Sequence, residues 1–368
     1  MATFWLALSW VFSILFALFG IAIFNMGGRL QALFFLGIVL ALLPPFRSFI
    51  HNITGKTLPW WAHGLVIIVL WGGFMLSLQL NPATSIYKSP EVETKLMEMY
   101  DAKMMEWPVP YEDVYVDTDY GKVHVIVSGP EDAPPLLLIH ASALAGWSWL
   151  PNIGELNKHY RTYAVDSIGD IGKSVLNDLK KPLKGGEEIA RFYTDLTHKL
   201  GFDESYVAGA SIGGYISSNY ALHAPERVKK LALLGAMGYG TTNKTVTLMI
   251  LAMAYPFQWV QELTLKWALG ESDNVAKNFG EWFYLILDGT VPKPTPPTTF
   301  TPEQLQQVQV PTLALLGTQD KVIGDAQKAK ALAENIPNAR VEIVDSGHLI
   351  GAEVPDIVNP MMVKFFQE

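Results

Sequence analysis

The chain of 368 residues contains no cysteine. That excludes disulfides, cysteine metal sites and a thiol nucleophile, but leaves the compartment open, since a cysteine-free chain can reside in any of them. Charge is also sparse, at 17% of residues against 50% hydrophobic, and mean hydropathy is +0.21. The sparseness is uneven. No acidic residue precedes Glu91, and the only earlier basic residues are Arg29, Arg47, Lys56 and Lys88. The first 90 residues thus carry +4, while the remainder sets 23 basic against 35 acidic residues for −12. No Lys/Arg-rich run interrupts this acidic part, which argues against nucleic acid as a partner. Nor do His, Asp and Glu fall at ligand spacing, so no metal and no other cofactor is expected.

The acid-free region divides into apolar segments at about Ala2–Phe24, Leu30–Leu43 and Trp60–Leu80. A helix of about 20 apolar residues matches the bilayer's hydrocarbon core. Residues 1–85 therefore read as a transmembrane region of about three helices, the second short enough to be re-entrant. A cleaved signal peptide would need a positive start and a shorter apolar core. The expectation is an integral membrane protein with the lipid bilayer as a partner. Arg29, Lys88 and Lys95 on the large domain's side outnumber Arg47 and Lys56 on the other, a weak lean to a cytoplasmic catalytic domain.

Residues 86–111 read as a linker, and from about 112 the pattern alternates. Val114–Val116 and Val123–Val127 flank Asp119-Tyr120-Gly121 as a hairpin. The continuous apolar run at Leu136–Ile139 suits a strand buried on both faces, and Leu231–Leu234 and Thr312–Leu316 read as further strands. Tyr163–Val165, Tyr206–Ala208 and Val341–Val344 complete the strands. Between them, Glu187–Leu200 reads as an amphipathic helix. The fold class expected for 112–368 is α/β, a mostly parallel sheet with helices on both faces, and its ligands belong at the carboxyl ends of the strands. Residues 238–300 break the alternation with an oily helical stretch and a proline-rich tail, and read as a helical lid.

Gly209-Ala210-Ser211-Ile212-Gly213 is a G-x-S-x-G match that follows a strand and opens a helix. A serine there sits on a sharp turn with its hydroxyl projecting from the sheet. The hydroxyl needs a base, and the base needs an orienting acid. Asp320 stands at the end of the strand at 312–316, and His348 follows the strand at 341–344. Asp345 and Asp325 compete for the acid's role, though Asp345 would have to double back from only three residues before His348.

With G-A-S-I-G-G, G-T-Q-D, S-G-H and this order of elements, the region from 112 to the end, lid excepted, resembles the α/β-hydrolase superfamily of serine esterases and lipases. The resemblance implies Ser211 as nucleophile, His348 as general base and then acid, and Asp320 as the orienting carboxylate. It implies an oxyanion hole formed by the backbone N–H of Ile212 and a second N–H from the loop after 136–139, that of Ser142. Two departures stand out. The loop reads His140-Ala141 where the family usually has His-Gly. The segment Asp166–Ser174 is one residue longer than the family's D-x-x-G-x-G-x-S, and reads as a structural turn. His140 itself reads as a loop-stabilising residue rather than a catalytic one, and His124 as an ordinary strand residue.

The expected activity is that of a serine hydrolase cleaving a carboxylic ester or thioester through an acyl-enzyme on Ser211. Its substrate would be a small-molecule or lipid-like ester of hydrophobic character. An acyltransferase using the same three residues, and a non-catalytic binding protein of the same fold, are the alternatives.

Overall fold

The computed structural model describes residues 2–25, 29–55, 60–80, 85–179, 181–240, 258–269, 273–291 and 295–368. The chain divides into two compact units, Met1–Ala83 with Ile250–Gln261, and Thr84–Met249 with Glu262–Glu368. In the first unit lie α1 (Ala2–Asn25), α2 (Arg29–Leu42), α3 (Pro44–Thr54) and α4 (Trp60–Leu80). Phe35 of α2 joins three of them, with its ring 6.1 Å from Phe16, 6.1 Å from Trp71 and 5.1 Å from Phe74.

Four helices stand where about three were expected. Pro44-Pro45 ends α2 but also begins α3, because proline lacks only an N–H that the first helical turn leaves unbonded. Among the described residues, no helix is long and apolar enough to cross a membrane. This overturns the reading of an integral membrane protein with a transmembrane region, a bilayer partner and a cytoplasmic-leaning catalytic domain. Freedom from acidic residues is a property of composition. A span requires continuous apolar helix of bilayer length, and the described residues do not supply it.

The second unit opens with α5 (Pro90–Met104) in the stretch expected as a linker. Ser89 caps it by accepting from the Val92 N–H at 3.4 Å, Pro90 occupies its first turn, and Leu96, Tyr100 and Met104 are buried. The sheet follows: β1 (Tyr111–Thr118), β2 (Gly121–Ser128), β3 (Pro135–Ile139), β4 (Arg161–Val165), β5 (Val175–Leu176), β6 (Ser205–Ala210), β7 (Val228–Leu234), β8 (Thr312–Gly317) and β9 (Ala339–Val344). Its order is β1-β2-β4-β3-β6-β7-β8-β9, with β5 paired to β2. The β1–β2 hairpin and the β2–β4 and β2–β5 pairs are antiparallel, and every pair from β4 to β9 is parallel.

Parallel strands require crossovers, which α6 (Leu150–Leu156), α7 (Gly186–Lys199) and α8 (Ile212–His223) supply. Leu136 to Ile139 and every residue of β8 are buried, as expected of strands covered on both faces. Beyond β7, residues 241–257 of the expected lid lie outside the described residues. The rest of it carries α9 (Gln258–Leu269) and α10 (Asp273–Gly289). The chain closes with α11 (Pro302–Leu305), α12 (Ala326–Ala333), α13 (Ile350–Glu353) and α14 (Pro355–Gln367).

His124 of β2 proves to be more than an ordinary strand residue. It is fully buried between two carboxylates, with Nδ1 2.8 Å from Asp166 and Nε2 2.7 Å from Asp113. Carboxylates only accept, so both ring nitrogens donate and the imidazole is held as a cation. Burial alone would lower its pKa, but the hydrogen bonds and charges of Asp166 and Asp113 outweigh it and raise the value. For Asp166, burial would raise the pKa, but His124 and the N–H groups of Lys173 and Gly146 bring it below the usual range. The Tyr100 hydroxyl lies 3.3 Å from the same carboxylate, tying α5 to the sheet.

Asp166→Asn should destabilise the fold by about 3 kcal/mol, since it leaves a buried imidazolium short of its partner. His124, with a raised folded value, contributes stability that is complete below about pH 6.5 and is lost as pH rises through that raised value. Asp166, with a lowered one, contributes stability present above about pH 3.9 and lost as pH falls through the lowered value. Thermal unfolding should therefore show the largest difference between wild type and Asp166→Asn between about pH 4 and 6.5. A difference constant up to about pH 9 would contradict the ion pair.

Candidate active site

The carboxyl ends of β3, β6, β8 and β9 converge at one edge of the sheet. Ser211 stands between β6 and α8 with φ 53° and ψ −115°, a conformation that side-chain-bearing residues rarely adopt. Such strain costs on the order of 1–3 kcal/mol and persists only where its surroundings fix it. Here the Ser211 N–H donates to the Leu234 carbonyl at 2.9 Å, and the Ser211 carbonyl accepts from Met237 at 2.9 Å and Gly214 at 3.0 Å. The flanking glycines are needed for space. A Cβ on Gly209 would lie 2.3 Å from the Gly213 carbonyl oxygen, and one on Gly213 would lie 2.1 Å from that of Ile139. The motif thus lets the start of α8 press against the loop leaving β3.

His348 follows β9, and its Nε2 lies 2.7 Å from Ser211 Oγ. Its Nδ1 lies 2.8 Å from Asp320 Oδ2. Because the carboxylate accepts, Nδ1 carries the proton and Nε2 is left to accept from the serine hydroxyl. All three side chains are buried. Asp320 is fixed in turn, its Oδ1 accepting from the N–H groups of Val322 at 2.8 Å and Ile323 at 3.0 Å. The two competing acids are engaged elsewhere. Asp345 accepts from the Thr318 hydroxyl at 2.8 Å, and Asp325 caps α12 through the Gln327 N–H at 2.9 Å.

The histidine's loop is held by a residue that the sequence reading passed over. Glu353 of α13 accepts from the N–H groups of Gly347 at 2.6 Å and Leu349 at 3.0 Å, which flank His348. Burial raises its pKa, partly offset by those two bonds and by His348. The only signal in the sequence was an acid five residues past the histidine in an otherwise apolar stretch.

Of the two oxyanion candidates, Ile212 is the first residue of α8, where a helix leaves its N–H groups unbonded. Ser142 lies in the loop after β3, and β3 and β6 are neighbours paired Ile139 to Gly209, so the two loops leave adjacent strand ends. His140 is buried and acts as a brace. Its Nε2 accepts from the Ser167 N–H at 2.9 Å, which leaves Nδ1 to donate to the Ala141 carbonyl at 2.7 Å. A small cavity of about 30 Å³ reaches the chain neighbours of Ser211 and His348, Ala210 and Leu349, and is walled mainly by apolar groups such as Leu144, Trp149 and Leu234, with Ser148 and Asn152 as its polar members. Among the described residues, no group of His, Asp and Glu could hold a metal ion.

Residues 134–281 match the family model described as the alpha/beta hydrolase fold. The chain is 31% identical to the uncharacterized carboxylesterase nap of Bacillus subtilis over 310 residues, 78% of this chain and 97% of that protein. It is 29% identical to carboxylesterase YbfK of the same organism, with 76% and 96% covered. Among solved structures, the naproxen esterase (carboxylesterase NP) from Bacillus subtilis superposes with a TM-score of 0.69 at 31% identity, covering 77% of this chain and all of that one. The chain belongs to the α/β-hydrolase fold family and is a carboxylesterase-like serine hydrolase.

Proposed function

We propose that the enzyme hydrolyses a carboxylic ester with a hydrophobic acid or alcohol part, through an acyl-enzyme on Ser211. The observation that carries this is the unbroken chain of contacts from Ser211 Oγ to His348 Nε2 at 2.7 Å and from His348 Nδ1 to Asp320 at 2.8 Å. His348 takes the serine proton as Oγ attacks the ester carbonyl, and Asp320 balances the imidazolium that forms. The N–H groups of Ile212 and Ser142 receive the carbonyl oxygen as it gains negative charge. On collapse, the alcohol leaves with the proton from His348. Water then attacks the acyl carbonyl while giving a proton to His348, and His348 returns that proton to Ser211 Oγ as the acid is released.

The hydrophobic preference rests on the walls of the cavity beside the serine, where alkyl and indole groups predominate and favour apolar substituents. The likeness to a protein named a naproxen esterase accords with an apolar ester. That cavity is small, which suits a compact group better than a long acyl chain.

On p-nitrophenyl esters of rising acyl length, the acetate and butyrate should be cleaved at least about tenfold faster, by kcat/KM, than the palmitate. Ser211→Ala should abolish turnover of all of them. A preference for the palmitate would contradict the compact subsite, and undiminished turnover by Ser211→Ala would contradict the nucleophile. Glu353→Gln offers one acceptor oxygen for two N–H donors, so kcat should fall by about tenfold while KM changes little. Unchanged kcat would show that the clamp on the histidine loop does not matter for turnover.

A further inference from the structure

The sequence departs from the usual family pattern twice, at Ala141 after His140 and in the lengthened turn after β4, and in the fold these two places meet. Ala143 has φ 61°, left-handed backbone at a residue that carries a Cβ. Its N–H is received by both carboxylate oxygens of Asp170, at 3.1 and 3.2 Å. The Ile171 N–H closes the turn onto the same carboxylate at 2.8 Å. On the other side of residue 143, its carbonyl accepts from Trp282 Nε1 of α10 at 2.8 Å. Asp170 is 1% exposed and burial raises its pKa, so its buried carboxyl needs donors fixed around it, one from its own turn and one, the Ala143 N–H, from the loop. Four residues further back in the same turn, Asp166 takes the Gly146 N–H at 2.7 Å and fastens the far end of the loop.

We infer that Asp170 is the positioning residue of the oxyanion loop, holding the backbone at 142–143 in its left-handed turn so that the Ser142 amide faces the reacting carbonyl. The inference rests on the proposed roles of Ser211, Ile212 and Ser142. No donor reaches the substrate from Asp170 itself. It acts by replacing the conformational freedom of a glycine with an external clamp on a residue that would otherwise leave this conformation.

The test compares wild type with Asp170→Ala, Asp170→Asn and the double variant Asp170→Ala/Ala143→Gly on p-nitrophenyl butyrate. A boronic acid inhibitor, whose tetrahedral serine adduct places an oxygen in the oxyanion site, and thermal unfolding are measured alongside. Asp170→Ala should lose about 100-fold in kcat with KM within about threefold, and boronic acid affinity should fall in parallel with kcat/KM. Adding Ala143→Gly should restore about tenfold, because glycine adopts the turn unaided. If Asp170→Ala does not fold, Asp170→Asn carries the test. It keeps one acceptor oxygen, and should lose about tenfold in kcat with the same parallel loss of boronic acid affinity. A kcat within about threefold of wild type in the folded variant, or boronic acid affinity unchanged while kcat falls, would overturn the inference. Turnover retained by Ser211→Ala would instead overturn the serine reading on which it rests.

Discussion

The turn at Ser211 is the constraint on which the rest of the site depends. Its φ of 53° is affordable only because the serine's backbone is tied to β7 and to the residues after it, and because Gly209 and Gly213 let chain segments approach within distances that a Cβ would block. Gly213 has the larger consequence. By admitting the Ile139 and His140 carbonyls against the start of α8, it sets the loop after β3 beside the helix N-terminus, the pairing that an oxyanion hole requires.

Around that turn, the edge of the sheet is assembled by one repeated device, a buried or partly buried carboxylate receiving backbone N–H groups. Asp320 receives Val322 and Ile323, Asp166 receives Gly146 and Lys173, Asp170 receives Ala143 and Ile171, and Glu353 receives Gly347 and Leu349. Loops at strand ends have no ladder partners, so side-chain acceptors fix them instead. A carboxyl group has acceptor capacity to spare, and each of these holds two N–H groups at once. This gives a structural use for part of the acidity that distinguishes the chain after residue 90.

What could be read from the sequence was local. Leu136–Ile139 was visible as a strand because a run buried on both faces is apolar throughout, whatever its period. Ser211, Asp320 and His348 stood out because each follows a strand, and the fold brings their side chains within hydrogen-bond distance of one another. The clamps were not legible. Asp170 bonds Ala143 from 27 residues away, and His124 bonds Asp166 across 42, with no periodicity linking either pair. At α5, by contrast, the signal was present and was read as a linker. Ser89 before Pro90, with Glu91 and Glu93 in the first turn, is a helix start. The membrane reading, drawn from acid-free apolar segments of about span length, is the one that failed, since among the described residues no helix is long and apolar enough to cross a membrane.

The central claim is that Ser211 carries the acyl group during turnover. Reacting the enzyme with excess p-nitrophenyl butyrate, quenching in acid within the first turnover and mapping the peptides by mass spectrometry tests it most directly. A butyryl group on the peptide containing Ser211, absent after Ser211→Ala, is the expected result. Full turnover with no acyl group on Ser211, or with the group on another residue, would contradict it.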